Sequence, residues 1–143
     1  MSMTDTVQVD IVSAEKEIFS GDAKMVFAPA LMGEVGISPG HAPLVTKMVP
    51  GEVRVEDNDG NELTFYVSGG LLEVQPSIIT VLSDSADRAE DLDEAAILKA
   101  KEEAEKTLNE KDSKIDYAKA QTALAEAAAQ LQTLQRLRKR SGR

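Results

Sequence analysis

"SIITVLSDSADRAEDLDEAAIL", Ser77–Leu98, changes its period partway through. "SIITVL" is a short β-branched run of the kind that forms a strand. From "DLDE" onward Leu92, Ala96, Ala100, Ala104 and Leu108 return at helical spacing, with Asp91 placed as N-cap and Glu94 three residues on. A switch of period within one short segment marks a boundary between two kinds of structure, and the rest of the chain follows from it.

Upstream, "VQVDIV" sets Val7, Val9 and Ile11 against Gln8 and Asp10, the period-two pattern of a half-buried strand. "KEIF", "AKMVFA", "EVGI", "LVTKMV", "EVRVE", "LTFYV" and "LLEV" repeat such short runs. Between them stand "SGD", "APALMGE", "SPGHAP", "PGE", "DNDGN", "SGG" and "QPS". Every Pro, and every Gly except Gly142, precedes residue 77. About ten short strands with turn formers in the gaps predict an antiparallel β-sandwich or barrel with one core.

Downstream, Ala, Glu, Lys, Leu and Gln dominate. One helix is predicted from about Leu92 to Leu108. After "NEKDSKIDYAKA", where Ser113 and Asp116 repeat the capping-box spacing, a second is predicted to about Lys139. A short connection folds such helices into an antiparallel hairpin. The fold class is α+β in two segregated parts, a sandwich over 1–88 and a hairpin over 89–143. The second helix presents Tyr117, Ala120, Leu124, Ala127 or Ala128, Leu131 and Leu134 toward a mostly alanine face. A buried Leu contributes roughly 1.5–3 kcal/mol and a methyl nearer ~0.8, so this seam is weakly held. Ala is also the best helix former, so the second helix is expected to open out without melting.

Composition removes several functions. Zero Cys excludes thiolate catalysis, disulfides and Cys-based zinc sites, and one His cannot supply the usual imidazole ligand sets. A net charge of -9 with five aromatic residues and no Trp argues against nucleic acid. No apolar stretch reaches the ~18–20 residues of a membrane span, and "MSMTDTVQVD" has no signal-peptide pattern, so no direct membrane insertion is expected.

The carboxylates do not converge either. Glu102, Glu103 and Glu105 with Lys99, Lys101 and Lys106 read as a solvated helix face. "DNDGNE" is a hairpin turn, since its Gly60 stands at the fourth place where a calcium loop requires the sixth. His41 in "SPGHAPL" lacks a nucleophile on a strained elbow and reads as a loop side chain. Phosphate-cradling glycine loops are absent. The chain is not an enzyme by itself, and no catalytic residue, metal or cofactor is expected.

One feature still needs a partner. The last eight residues carry five cations and no acid, while the remainder carries 11 basic and 25 acidic side chains. One or two cations satisfy the helix dipole. Five suggest an acidic surface on which to dock.

"VDIVSAEKEIFSGDA", "GEVGISPGHAPLV", "YVSGGLLEVQPSIITVLSDSADRAEDLDEA" and "IDYAKAQTALAEAAAQL" together resemble the epsilon subunit of bacterial F-type ATP synthase, over about Val7 to Leu137. The resemblance implies a peripheral subunit of the rotor's central stalk on the cytoplasmic face of the inner membrane. Its implied partners are the gamma subunit and the c-subunit ring. It implies that the loops holding Glu34 and His41 face the c ring and that a sandwich face packs on gamma. It also implies a hairpin able to extend and inhibit ATP hydrolysis at the alpha and beta subunits, with Arg136, Arg138, Lys139 and Arg140 meeting an acidic segment of beta. Some members bind ATP through [IL]-D-x-x-R-A. Here Leu92 and Asp93 match, but Ala96 and Ile97 replace the arginine and alanine, and Glu126 and Gln130 stand opposite, so no ATP site is expected. Two rival readings are a free-standing sandwich module whose helical tail docks an acidic partner, and a small hydrolase using His41.

Overall fold

Val7, Val9 and Ile11 are buried while Gln8 and Asp10 between them are only half-buried, so β1, Val7–Ser13, forms as its alternation requires. The computed structural model describes residues 6–110 and 114–141. The strands that follow are β2 (Glu17–Ala23), β3 (Met25–Ala30), β4 (Gly33–Ile37), β5 (Leu44–Met48) and β6 (Gly51–Glu56). Then come β7 (Glu62–Val67), β8 (Gly70–Val74), β9 (Ile78–Ser83) and β10 (Ala86–Arg88). They form one sheet in the order β10-β7-β6-β3-β5-β8-β9-β1-β2, with β4 on β3. The sheet curls until β10 lies against β1 and β2, which brings its inner face around one core. Val9, Ile11, Val26, Ile37, Val53, Phe65, Leu72, Ile79 and Val81 are fully buried there.

Three details depart from the sequence expectation. The pairing of β1 with β9 is parallel, from Gln8↔Ile78 to Ser13↔Ser83, in a sheet otherwise antiparallel. Parallel partners need a long connection, and the seven strands between supply it. "SGD" is not a gap: β2 runs through Ser20, Gly21 and Asp22 opposite β1. A Cβ on Gly21 would stand 3.0 Å from the Phe19 ring, whose centroid lies 5.4 Å from that of Phe65, so the glycine leaves room for this aromatic pair. β10, three residues long, carries no alternation by which the sequence could have shown it.

The turns behave as read. Asp57 Oδ1 accepts from the backbone N–H groups of Asp59 and Asn61, each at 2.9 Å, closing the β6–β7 hairpin. At the β7–β8 connection Gly70 has φ 121°, and a Cβ there would meet Leu82 O at 2.0 Å.

The chain divides into two compact units, one through Arg88 and the other from Ala89. The second begins with a 3-10 turn, Ala89–Asp91, then α1 (Glu94–Glu110) and α2 (Lys114–Ser141). The cap falls at Asp93 and not at Asp91: Asp93 Oδ1 accepts from Ala95 and Ala96 N–H at 3.1 and 3.3 Å. The 3-10 turn occupies Asp91, so the helix starts later. The buried face shifts with it. Ile97 and Ala104 are buried on α1 while Ala96 and Ala100 are exposed. On α2 Ala120, Ala127 and Leu134 are buried, and Tyr117, expected inside, is 41% exposed. These positions recur every seven residues, the period of a two-helix seam. The expected cap at Ser113 lies outside the described residues.

Candidate functional site

On the sandwich, one outward face is conspicuous for its carbon. Lys47, Leu71, Leu82 and Val12 stand in a row across β5, β8, β9 and β1, each the register partner of the next. Val45 lies two residues from Lys47 on the same side and is 64% exposed, with Leu71 at 37% and Leu82 at 41%. A groove there is lined by Val12, Ala14, Lys47, Leu71 and Leu82, among others. Contiguous exposed apolar side chains at the centre of a rigid sheet are the physical signature of a surface that another chain covers.

Glu34 and His41 are not brought together. Glu34 is the second residue of β4, beside the β3–β4 turn, whose Leu31 and Met32 are 61% and 95% exposed. His41 lies beyond the far end of that strand, past Ile37, which strand rise sets roughly 10 Å from Glu34. Glu34 is held by Arg54 at 2.9 Å, and the Arg54 guanidinium lies 4.3 Å over the Phe27 ring. His41 Nδ1 donates to Ala42 O at 2.7 Å, and its backbone N–H donates to Ser38 O. A catalytic triad needs a carboxylate on that nitrogen, and here it is engaged by a neighbouring carbonyl.

The hairpin has two unlike ends. At the start of α1 and the end of α2, Ile97, Ala127 and Leu134 form a small cluster with Leu92 and Leu131. Toward the connection the seam narrows to Ala104 and Ala120, beside an open cleft of about 480 Å³ lined by Ala100, Glu103, Thr107, Asp116 and Lys119, among others. Arg136, Arg138, Lys139 and Arg140 all lie in the last two turns of α2, where positive side chains meet the negative end of the helix dipole. Of these, Arg138 grips Glu94 of α1. Glu94 sits in the first turn of α1 and was read only as part of the cap; contact across the hairpin is what reveals its second role. Arg143 lies outside the described residues.

Asp93, Ala96 and Ile97 are accounted for without a ligand. Asp93 caps α1, Ala96 faces outward, and Ile97 fills the seam against Ala127 and Leu134. Glu126 and Gln130 are half-buried on α2. Among the described residues no group of three His, Cys, Asp or Glu is placed to hold a metal ion. No described helix is long and apolar enough to cross a membrane.

Both units have counterparts in one family. The beta-sandwich domain of the ATP synthase delta/epsilon chain matches residues 6–89, and its long alpha-helix domain matches residues 90–135. The ATP synthase epsilon chain of Nitrosococcus oceani is 61% identical over 140 residues, 98% of this chain and 100% of that one. That of Alkalilimnicola ehrlichii is 59% identical over 138 residues, 96% and 99% of the two chains. A chain in the cryo-EM structure of the Euglena gracilis mitochondrial ATP synthase, OSCP/F1/c-ring, shares the fold with a TM-score of 0.82 at 20% identity, covering 94% of this chain and 84% of that one. With sandwich and helices both matched in sequence order, and relatives alike from end to end, the chain belongs to the epsilon-chain family of ATP synthase, whose members are non-catalytic subunits of the complex.

Proposed function

We propose that the chain is a central-stalk subunit of a proton-translocating F-type ATP synthase, coupling c-ring rotation to gamma for ATP synthesis from ADP and phosphate. It sits peripherally at the cytoplasmic face of the bacterial inner membrane. The observation that carries this reading is that each of its two units is matched by one of the two domains of this single family. A sheet curled around one continuous core resists shear, which suits a part that must transmit torque. The apolar row of Val12, Leu71 and Leu82 with Val45 supplies the gamma-facing surface. The loops holding Glu34 and His41, with Leu31 and Met32 exposed at the β3–β4 tip, face the ring.

The hairpin is a conditional brake on hydrolysis. Its α2 extends toward the catalytic head, and Arg136, Arg138, Lys139 and Arg140 dock on an acidic segment of beta, with alpha alongside. At 28 residues α2 is ~40 Å long, which gives it the reach. The chain binds no ATP of its own, because Ile97 occupies the seam and no arginine stands at Ala96. Deleting residues from Ser113 onward tests the brake: hydrolysis by the assembled complex is expected to rise several-fold, and an unchanged rate refutes inhibition.

A further inference from the structure

Arg138 already has a carboxylate partner inside the closed hairpin. From the last turns of α2 it forks onto Glu94 in the first turn of α1, Nη2 donating to Oε2 and Nη1 to Oε1, the latter at 3.3 Å. Two parallel N–H···O bonds are the geometry in which guanidinium and carboxylate recognise each other most specifically. Each group responds to the other. Glu94 is held below its ordinary value of 4.5, first by the hydrogen bond from Arg138, and Arg138 is raised, first by its bond to Glu94. The pair is nevertheless open to solvent, with side-chain exposures of 59% and 40%. An exposed pair is a weak brace and is accessible to competitors.

Its position gives it leverage. Ile97 is three residues after Glu94 and Leu134 four before Arg138, so the ion pair closes the end of the seam where large side chains are buried. The opposite end offers Ala104, Ala120 and a cleft. Parting the fork and the cluster beneath it leaves, among the described residues, the buried Ala104 and Ala120 with half-buried Leu108 and Leu124 to hold the helices.

We infer that Glu94 is a latch that stands in for the acidic docking surface: it occupies Arg138 while the hairpin is shut, so extension exchanges one carboxylate partner for another. Such an exchange is nearly balanced, which keeps the two states within reach of each other. The latch rests on hairpin geometry alone. Its consequence for hydrolysis rests on the inhibitory reading above.

The chain has no Cys, so Ala127→Cys places a single thiol in the seam, at a position only 2% exposed. Its rate of labelling by a small thiol reagent, relative to a free thiol, gives the opening equilibrium. In that background Glu94→Gln should raise the open fraction about two- to five-fold and Glu94→Lys further, with far-UV circular dichroism unchanged. The swapped pair Glu94→Arg with Arg138→Glu should return labelling toward the parent rate. Unchanged labelling in Glu94→Lys, or a swap no slower than its single variants combined, overturns the latch. In the assembled complex Glu94→Gln should lower ATP hydrolysis, and deletion from Ser113 should erase that difference. Faster labelling without lower hydrolysis keeps the latch and defeats the inhibitory reading. Lower hydrolysis without faster labelling does the reverse.

Discussion

The sandwich and the hairpin bury carbon in different ways. In the sandwich Phe65, Ile11, Ile37, Leu72 and a ring of valines are excluded from water on all sides, and each such side chain contributes roughly 1.5–3 kcal/mol. In the hairpin the buried positions are largely alanine, with Ile97 and Leu134 as the large exceptions. Backbone bonding differs as well. Every strand depends on another strand for its backbone hydrogen bonds, whereas each helix satisfies its own backbone. Opening would therefore cost the sandwich both its core and its backbone pairing, and the hairpin only its seam. One chain thus joins a deeply packed part to a thinly packed one.

The comparison can be broken at the sandwich first, where the largest effect is expected. Gly70→Ala puts a Cβ against the backbone of β9 at a φ that L residues avoid, and nothing flexible is there to yield. A loss of about 3 kcal/mol or more in urea unfolding is expected, with the whole sandwich melting in one transition. A change below about 1 kcal/mol would show the β7–β8 connection to be pliant, and the rigid-block account would fail with it.

A middle-sized effect belongs to the hairpin. Leu134→Ala removes the largest buried side chain of α2 among the described residues and should weaken closure by about 2–3 kcal/mol. It should leave helix content measured by circular dichroism nearly intact, with the thiol at position 127 labelled much faster. Loss of helix signal in step with opening would mean that α2 needs its partner to exist.

The smallest effect is that of pH. Glu94 is held below 4.5 by Arg138, so the pair's contribution to closure is complete above that ordinary value. It disappears only as pH falls through the lower, paired value. Labelling of the seam thiol, corrected for thiolate content, is expected to be flat from about pH 8 to about pH 6 and to rise only in acid. A rise near neutrality would point to a group other than Glu94.

Much of this division was legible in the chain. The switch of period after Ile78–Ser83, and the confinement of Pro and nearly all Gly to the first part, decided that a strand-rich unit precedes a helical one. Local chemistry decided the Asp57 turn and the tight Gly69–Gly70 connection, because side-chain hydrogen bonding and positive φ depend only on nearest neighbours. The alanine content of α2 announced a thin seam before its partner was known. What sequence could not supply was partnership between distant residues. That β1 runs parallel to β9, that Leu71, Leu82 and Val12 line up into one exposed row, and that Ile97 and not Ala96 faces inward are matters of register, set by packing across elements. Arg138 was visible as one cation among several, and Glu94 as one acid in a first turn. Only folding the two helices back on each other placed them in contact, because a bond between residues 44 apart is fixed by the path of the chain and not by the chemistry of either residue.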